Sequence, residues 1–234
     1  MPALFTPLTP VKYVEFNFMG LIDSFGKQFG HLSFFPQWKK YWLDSFLDLD
    51  EQIKDYVKEF PNSNPIIQRI KAKPSVSLDN YELFQFEHIT DYGIYTFHFD
   101  VEAMNIIKNN SKIPLETVKL NDLYIDPDTP VLKSKLEDRR KPLLVRMFGI
   151  EKAFICADGN KRLKIRIENG EDNFKCHIFY PQNIEDIFFG PLDLYYYTFL
   201  HEIEYMHRQI LDHPNDEKAI FNVTQLYLQA QQWL

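Results

Sequence analysis

The sequence predicts an α+β protein, in which a small mixed sheet in the middle of the chain is flanked by helical regions. Apolar residues repeat every three or four positions toward both ends, and short apolar runs of strand length lie between them. The chain has 234 residues, enough to bury a core without a disulfide or a metal. We expect an aromatic-rich α+β region over residues 1–112, a mixed-sheet core over 113–183 and a helical hairpin over 184–234.

The N-terminal region has the patterns of one long helix and one hairpin. Aromatic and aliphatic residues recur at helical spacing over residues 36–60, and Pro61 ends the pattern. The segments YELFQFEH and GIYTFHF predict the two arms of a β-hairpin, with ITDYG supplying the turn. Asp100 follows the second arm, where it is expected to cap the short helix VEAMNIIKNN.

The middle region predicts four strands and one helix. The strand candidates are VKLNDLYI, PLLVRMF, KAFICAD and FKCHIFYP. The segment GNKRLKIRIENG alternates partly like a strand, but Asn169-Gly170 is a typical helix C-cap, so a helix is predicted there.

The C-terminal region predicts two helices. The first begins at Pro191 and ends at His213-Pro214-Asn215, and the second covers residues 217–234. A helix cannot bury three consecutive side chains, so Tyr195, Tyr196 and Tyr197 are not all expected in the core. One or two of them would face a partner or a ligand.

Composition excludes several classes of protein. The net charge is −7, which argues against binding nucleic acid over the whole surface. Two cysteines exclude a disulfide framework and a cysteine-built zinc site. The first ten residues lack the features of a signal peptide, and no long uninterrupted apolar stretch is present. We therefore expect a cytoplasmic protein that does not bind membranes.

The segment Asp158-Gly159-Asn160-Lys161-Arg162, called here the DGNKR turn, is the best candidate for a binding site. It joins a predicted strand to a predicted helix, whose first-turn N–H groups and dipole attract anions. Gly159 permits a tight turn, and Lys161 and Arg162 add positive charge. Residues 130–170 contain eleven Lys and Arg against five Asp and Glu. The alternative is an ordinary Asp-Gly turn beside a solvated basic helix.

The order of strands and the DGNKR turn over residues 118–181 resembles the ParB/sulfiredoxin-like domain family, which includes a free-serine kinase, sulfiredoxin, CTP-dependent partition proteins and nucleases. The resemblance implies a mixed-sheet fold that binds ATP or CTP at this turn. Gly159 matches the loop glycine and Arg162 the arginine that contacts phosphate. Asp158 matches an aspartate that orders the loop or a Mg²⁺ ion. Asn160 replaces the cysteine of sulfiredoxin and the glutamate of partition proteins, so peroxiredoxin repair is not expected.

Other charged residues are candidates for the same site. Asp126 and Asp128 lie in the turn after the first predicted strand, where they could act as a base or a metal ligand; a Pro-Asp turn or helix cap is the alternative. Arg139 and Arg140 belong to the basic run at residues 133–141, which is either a lid over phosphate or a solvated helix.

The sequence thus predicts a nucleotide-binding protein that uses Mg²⁺ for phosphoryl transfer or nucleotide hydrolysis. Asn160 and Lys161 would hold phosphate together with Gly159 and Arg162. The alternative is a non-catalytic regulatory module that keeps the fold and binds a protein partner, or a second copy of itself, through its terminal helices. Nucleic-acid processing is a third possibility, which the negative net charge disfavours.

Overall fold

The computed structural model describes residues 3–4, 13–62, 64, 81–214 and 216–232. Within these ranges the protein combines helices with two sheets, so the predicted α+β class is confirmed. The helices are α1 (Phe18–Ser24), α2 (Gly26–Phe29), α3 (Phe35–Glu59), α4 (Val101–Asn110), α5 (Asn160–Glu168), α6 (Pro191–Asp212), α7 (Glu217–Phe221) and α8 (Gln225–Gln232). The strands are β1 (Ala3–Leu4), β2 (Glu82–Thr90), β3 (Gly93–Asp100), β4 (Leu115–Lys119), β5 (Leu123–Tyr124), β6 (Leu143–Arg146), β7 (Phe154–Asp158) and β8 (Asn173–Phe179).

The long helix, the hairpin and the short helix predicted in the N-terminal region are present, together with α1 and α2, which were not predicted. Helix α3 lies within one residue of the predicted bounds and buries Trp38, Trp42 and Phe46 along one face. Strands β2 and β3 form the predicted antiparallel hairpin, with β1 added at its edge. The Asp100 carboxylate accepts a hydrogen bond from the Ala103 N–H and caps α4, as predicted.

The middle region forms a second, mixed sheet with the strand order β4-β8-β6-β7-β5. Strand β8 is antiparallel to β4 and parallel to β6, whereas β7 is antiparallel to β6 and parallel to β5. The helix predicted from GNKRLKIRIENG is α5, which crosses from β7 to β8.

The single strand predicted from VKLNDLYI is wrong. A 3₁₀ turn, Leu120–Asp122, divides this segment into β4 and β5, which lie at opposite edges of the sheet. The chain from Lys119 to Leu123 spans at most about 14 Å, but a flat five-stranded sheet is about 19 Å wide. The sheet must therefore curl, and one of its faces carries a small core that includes Leu144, Cys156 and Leu163.

A larger core joins the other face of this sheet to the terminal regions. Val145, Ile155 and Phe179 from the sheet belong to the same buried cluster as the aromatic residues of α3, the hairpin and α6. Tyr196 and Tyr197 are buried in this cluster, whereas Tyr195 is exposed. The aromatic richness of the sequence is thus mostly core, and one tyrosine of the triplet reaches the surface as predicted.

The second C-terminal helix is not continuous. Helices α7 and α8 are separated at residues 222–224, where the buried Thr224 hydroxyl accepts a hydrogen bond from the Tyr227 N–H and donates one to the Phe221 carbonyl. This hydroxyl caps the new helix, which explains the correction to the predicted span. Asn215, predicted as part of the break, and residues 233–234 lie outside the described part of the chain. None of the described helices has the length and hydrophobicity needed to cross a membrane.

Candidate functional site

The DGNKR turn joins β7 to α5 through a backbone conformation that requires glycine. Gly159 is the N-cap residue of α5 and has a φ of +108°, in the left-handed region. A Cβ atom at this position would lie 2.9 Å from the Pro142 Cβ and 3.0 Å from the Pro142 Cα. The turn therefore packs tightly against the start of β6, and its shape depends on the absence of a side chain.

Asn160, the third residue of the DGNKR turn, is buried and connects three segments. Its Nδ2 donates to the Cys156 carbonyl at 2.8 Å, and its Oδ1 accepts from the Asp126 N–H at 3.1 Å. The side chain thus attaches the loop that carries Asp126 to the end of β7 and the start of α5. Its place in the motif was visible in the sequence, but this bridge between distant segments was not.

Arg162 lies inside the protein and pairs with two carboxylates. Its side chain is 5% exposed, with Nη2 2.9 Å from the Asp158 Oδ2 and Nη1 3.5 Å from the Asp138 Oδ2. Its Nε is buried and has no hydrogen-bond partner in the described structure. The guanidinium is therefore held by two carboxylates, and its buried Nε donor is unused.

Asp138 was not a candidate from the sequence, yet it is central to this arrangement. It accepts hydrogen bonds from the Arg140 backbone N–H, Nε and Nη2, the shortest at 2.7 Å. These bonds, together with the charges of Arg162 and Arg140, hold the pKa of Asp138 well below its usual range. The carboxylate is thus ionised and shared between two arginines. The only hint in the sequence was an acid inside a basic run.

The basic run itself is not a solvated helix. It contains a short 3₁₀ turn, Lys133–Lys135, followed by irregular chain that lies against α5, where the Arg166 Nη2 donates to the Asp138 carbonyl at 3.5 Å. Both Arg139 and Arg140 are exposed, and Arg140 also forms hydrogen bonds with Asp138. The run therefore covers the DGNKR turn through Asp138 rather than through both of the predicted arginines.

The predicted catalytic carboxylates lie beside the turn. Asp126 accepts the Asp128 N–H at 2.9 Å, which is the local turn that the alternative interpretation expected. The loop is held to α5 by Asn160 and by the Lys164 Nζ, which donates to the Pro127 carbonyl at 2.7 Å. Asp126 is half-buried, whereas Asp128 is exposed. The structure thus brings this loop to the start of α5.

The remaining predicted site residues have mixed environments. Lys161 is half-buried at the first turn of α5, and Asp158 is engaged by Arg162. Cys156 is buried beneath the turn, and burial raises the pKa of its thiol well above the usual value. Among the residues that the structure describes, no three or more His, Cys, Asp or Glu side chains are arranged to hold a metal ion.

Two surface cavities lie elsewhere, along α6. Their volumes are about 390 and 520 Å³, they share Pro181 and His201, and neither is lined by a residue of the DGNKR turn. The residues that line them come from distant parts of the chain, so no local sequence pattern indicated them.

Comparison with known proteins adds no relative. The sequence matches no protein-family model, and neither a curated protein nor a solved structure matches the chain. Any function assigned to it therefore rests on its own residues and their geometry.

Proposed function

We propose that the chain is a ParB/sulfiredoxin-like protein that binds a nucleoside phosphate, ATP or CTP, at the DGNKR turn. The observation that carries this proposal is the buried guanidinium of Arg162, which is held at the first turn of α5 with its Nε unpaired. A buried arginine beside a helix N-terminus is well suited to phosphate, because both the fork of donors and the helix dipole favour anionic oxygens. The glycine that shapes the turn supports the same interpretation.

Asp138 is the group that a phosphate would replace. Its carboxylate presents anionic oxygens to Arg162 and Arg140, as a phosphate would. An incoming phosphate could bind the guanidinium groups of both arginines while Asp138 moves outward with residues 133–141. Neither guanidinium would then lose its counter-charge, so the exchange avoids the penalty of an unpaired buried ion. In this proposal the basic run is a lid held closed by an internal anion.

In this proposal the flanking carboxylates hold the metal ion of a magnesium nucleotide. Mg²⁺ commonly binds one or two protein carboxylates together with phosphate oxygens, and Asp158 and Asp126 are the groups beside the turn that could hold it. When bound, Mg²⁺ would neutralise charge on the phosphates. The exposed Asp128 is available to accept a proton from an attacking hydroxyl or water, which is the role of a general base. Lys161 would add a further positive charge at the phosphates.

The test uses two substitutions that should change nucleotide affinity in opposite directions. Asp138→Asn removes the competing anion and should tighten the binding of ATP or CTP about tenfold, whereas Arg140→Gln removes a phosphate donor and should weaken it about tenfold. Isothermal titration with each nucleotide, with and without Mg²⁺, gives both dissociation constants. Lys58→Gln, at an exposed lysine on α3, is the control and should leave them unchanged. Arg208→Gln, at an exposed arginine on α6, tests whether a nucleotide binds there instead.

Each other result contradicts the proposal. If neither the wild type nor Asp138→Asn binds either nucleotide, the turn is only structural, and the non-catalytic interaction module is favoured. If nucleotide affinity falls in Arg208→Gln but not in Arg140→Gln, the nucleotide binds along α6 instead. Turnover measured on the same samples separates a phosphotransferase or hydrolase from a protein that only binds.

A further inference from the structure

The larger of the two cavities, called here the α6 cleft, has the size of a small-molecule site. Its volume is about 520 Å³, and its walls come from the end of β6, the chain after β8 and one face of α6. Ligand sites in proteins commonly enclose about 300–1,000 Å³. The residues that determine its chemistry are Arg146, Phe148, His201, Glu204, Tyr205 and Arg208.

The charges in the α6 cleft leave an excess of positive charge. Arg146 and Arg208 both contact the same Glu204 oxygen, with N–O distances of 3.0 and 3.4 Å. Two guanidinium groups therefore share one carboxylate. Arg146 is also fixed by hydrogen bonds to the carbonyls of Met147 and Ala153, whereas the Arg208 side chain is 55% exposed. One arginine is thus preorganised, and the other is accessible to a ligand.

The same cleft presents a row of aromatic rings. The His201 ring centroid lies 4.5 Å from that of Phe148 and 4.4 Å from that of Tyr205. The Arg146 guanidinium lies over Phe148, and that of Arg208 lies over Tyr205. Burial, helped by the two arginine charges, lowers the pKa of His201 to about 4. His201 is therefore neutral near pH 7. Its imidazole ring offers an uncharged flat surface to a ligand and does not add a third positive charge.

We propose that the α6 cleft binds a small anion that carries an aromatic ring. The ring would lie against His201 and Tyr205, and an anionic oxygen would pair with Arg208 and Arg146. A carboxylate and a phosphate share this chemistry. The site is separate from the DGNKR turn, because Arg146 pairs with Phe154 at one end of the β6–β7 ladder, whereas Asp158 pairs with Leu143 at the other.

The experiment measures the binding of four probes to the full chain by isothermal titration. The compounds 2-naphthoate and 2-naphthyl phosphate carry both features and distinguish the two anions. The neutral 2-naphthalenemethanol lacks the charge, and acetate lacks the ring. We expect one or both aromatic anions to bind at least about tenfold more tightly than the alcohol and acetate.

Two variants assign that binding to the cleft. Arg208→Gln should weaken the better aromatic anion about tenfold, and Tyr205→Leu should weaken it while leaving the fold intact, because both side chains lie at the surface. Lys58→Gln, at an exposed lysine on α3, is the control and should have no effect. The proposal is wrong if neither aromatic anion binds more tightly than the alcohol, or if Arg208→Gln has no more effect than Lys58→Gln. These outcomes do not depend on nucleotide binding at the DGNKR turn.

Discussion

Two of the buried ionisable side chains that the structure describes, Arg162 and Glu202, lie beside different cores, and their surroundings differ. Arg162, beside the small core of the curled sheet, is paired with the carboxylates of Asp158 and Asp138. Glu202, in the large aromatic core, receives hydrogen bonds from neutral donors, which are the indole N–H groups of Trp38 and Trp42 and the backbone N–H of Gln225. One buried charge is thus balanced by opposite charge, and the other only by dipoles.

The difference determines which core responds to pH. Burial raises the pKa of Glu202 to about 7, although its three hydrogen bonds act in the opposite direction. Arginine stays protonated at any pH at which proteins fold. Glu202 also links three helices, because its donors come from α3 and from the first turn of α8. We therefore expect a rise in pH toward 7 to weaken the contacts among α3, α6 and α8 more than it changes the DGNKR turn.

The largest expected effect comes from removing the balanced charge. Arg162→Leu leaves Asp158 without its partner and Asp138 without one of its two arginines, so we expect a loss of about 3–5 kcal/mol in the free energy of unfolding. Urea denaturation measures this loss. Arg140→Gln is the control, because its exposed pair with Asp138 should contribute less than about 1 kcal/mol. Equal losses of unfolding free energy in the two variants would mean that the buried Arg162 contributes no more to stability than the exposed Arg140.

The next prediction concerns Glu202 and the pH dependence of the free energy of unfolding. The folded protein holds the Glu202 proton up to about pH 7, whereas the unfolded chain releases it near pH 4.5. At this group the unfolded state binds fewer protons in that window, so the contribution of Glu202 to stability should fall as the pH rises from 4.5 to about 7, whereas His201, whose pKa is lowered to about 4, contributes in the opposite direction. The fall attributable to this group is on the order of 3 kcal/mol.

Glu202→Gln isolates this contribution. The amide cannot titrate, so the difference in unfolding free energy between wild type and variant should shift in favour of the variant as the pH rises. Urea titrations at pH 5 and pH 7.5 measure the shift, and Glu185→Gln, at an exposed carboxylate, is the control. A constant difference between wild type and Glu202→Gln across this range would show that Glu202 is already ionised at pH 5.

The same contrast shows which features a sequence can reveal. Helix α3, the β2–β3 hairpin and the Asp100 cap depend on neighbours within a few residues, and their patterns predicted them correctly. The division of residues 118–125 depends on β8 and β7, to which β4 and β5 pair. Strand propensity carries no information about such partners, so this segment was predicted as one strand.

The candidate sites divide in the same way. The DGNKR turn is a contiguous motif, and it was found from its residues. Asp138 becomes significant only because its loop folds back onto Arg162, and the α6 cleft joins Arg146 to a helix far along the chain. Glu202 adjoins His201 in the sequence, but its indole partners are more than a hundred residues away. Long-range contacts of this kind leave no local pattern.

The smallest expected loss of stability comes from changing Gly159, whose backbone shapes the turn beside Arg162. Gly159→Ala places a methyl group against the Pro142 backbone and the Arg162 guanidinium, at a positive φ. The arginine could adjust, but the proline backbone belongs to the chain entering β6, so we expect a loss of about 2 kcal/mol in the free energy of unfolding. Gly26→Ala is the matched control, because nothing lies within 4 Å of the added carbon and its φ is not positive. That change should be neutral or stabilising by up to about 1 kcal/mol.

Urea denaturation of both glycine variants measures the contrast directly. If Gly159→Ala is as stable as Gly26→Ala, the turn can relax without its left-handed residue, and the tight packing beside Pro142 does not fix Arg162. If Gly159→Ala is less stable and also loses nucleotide affinity, the backbone of the turn and the placement of the guanidinium are coupled. The balanced charge would then depend on the conformation of a single residue, whereas Glu202 depends on donors from two helices.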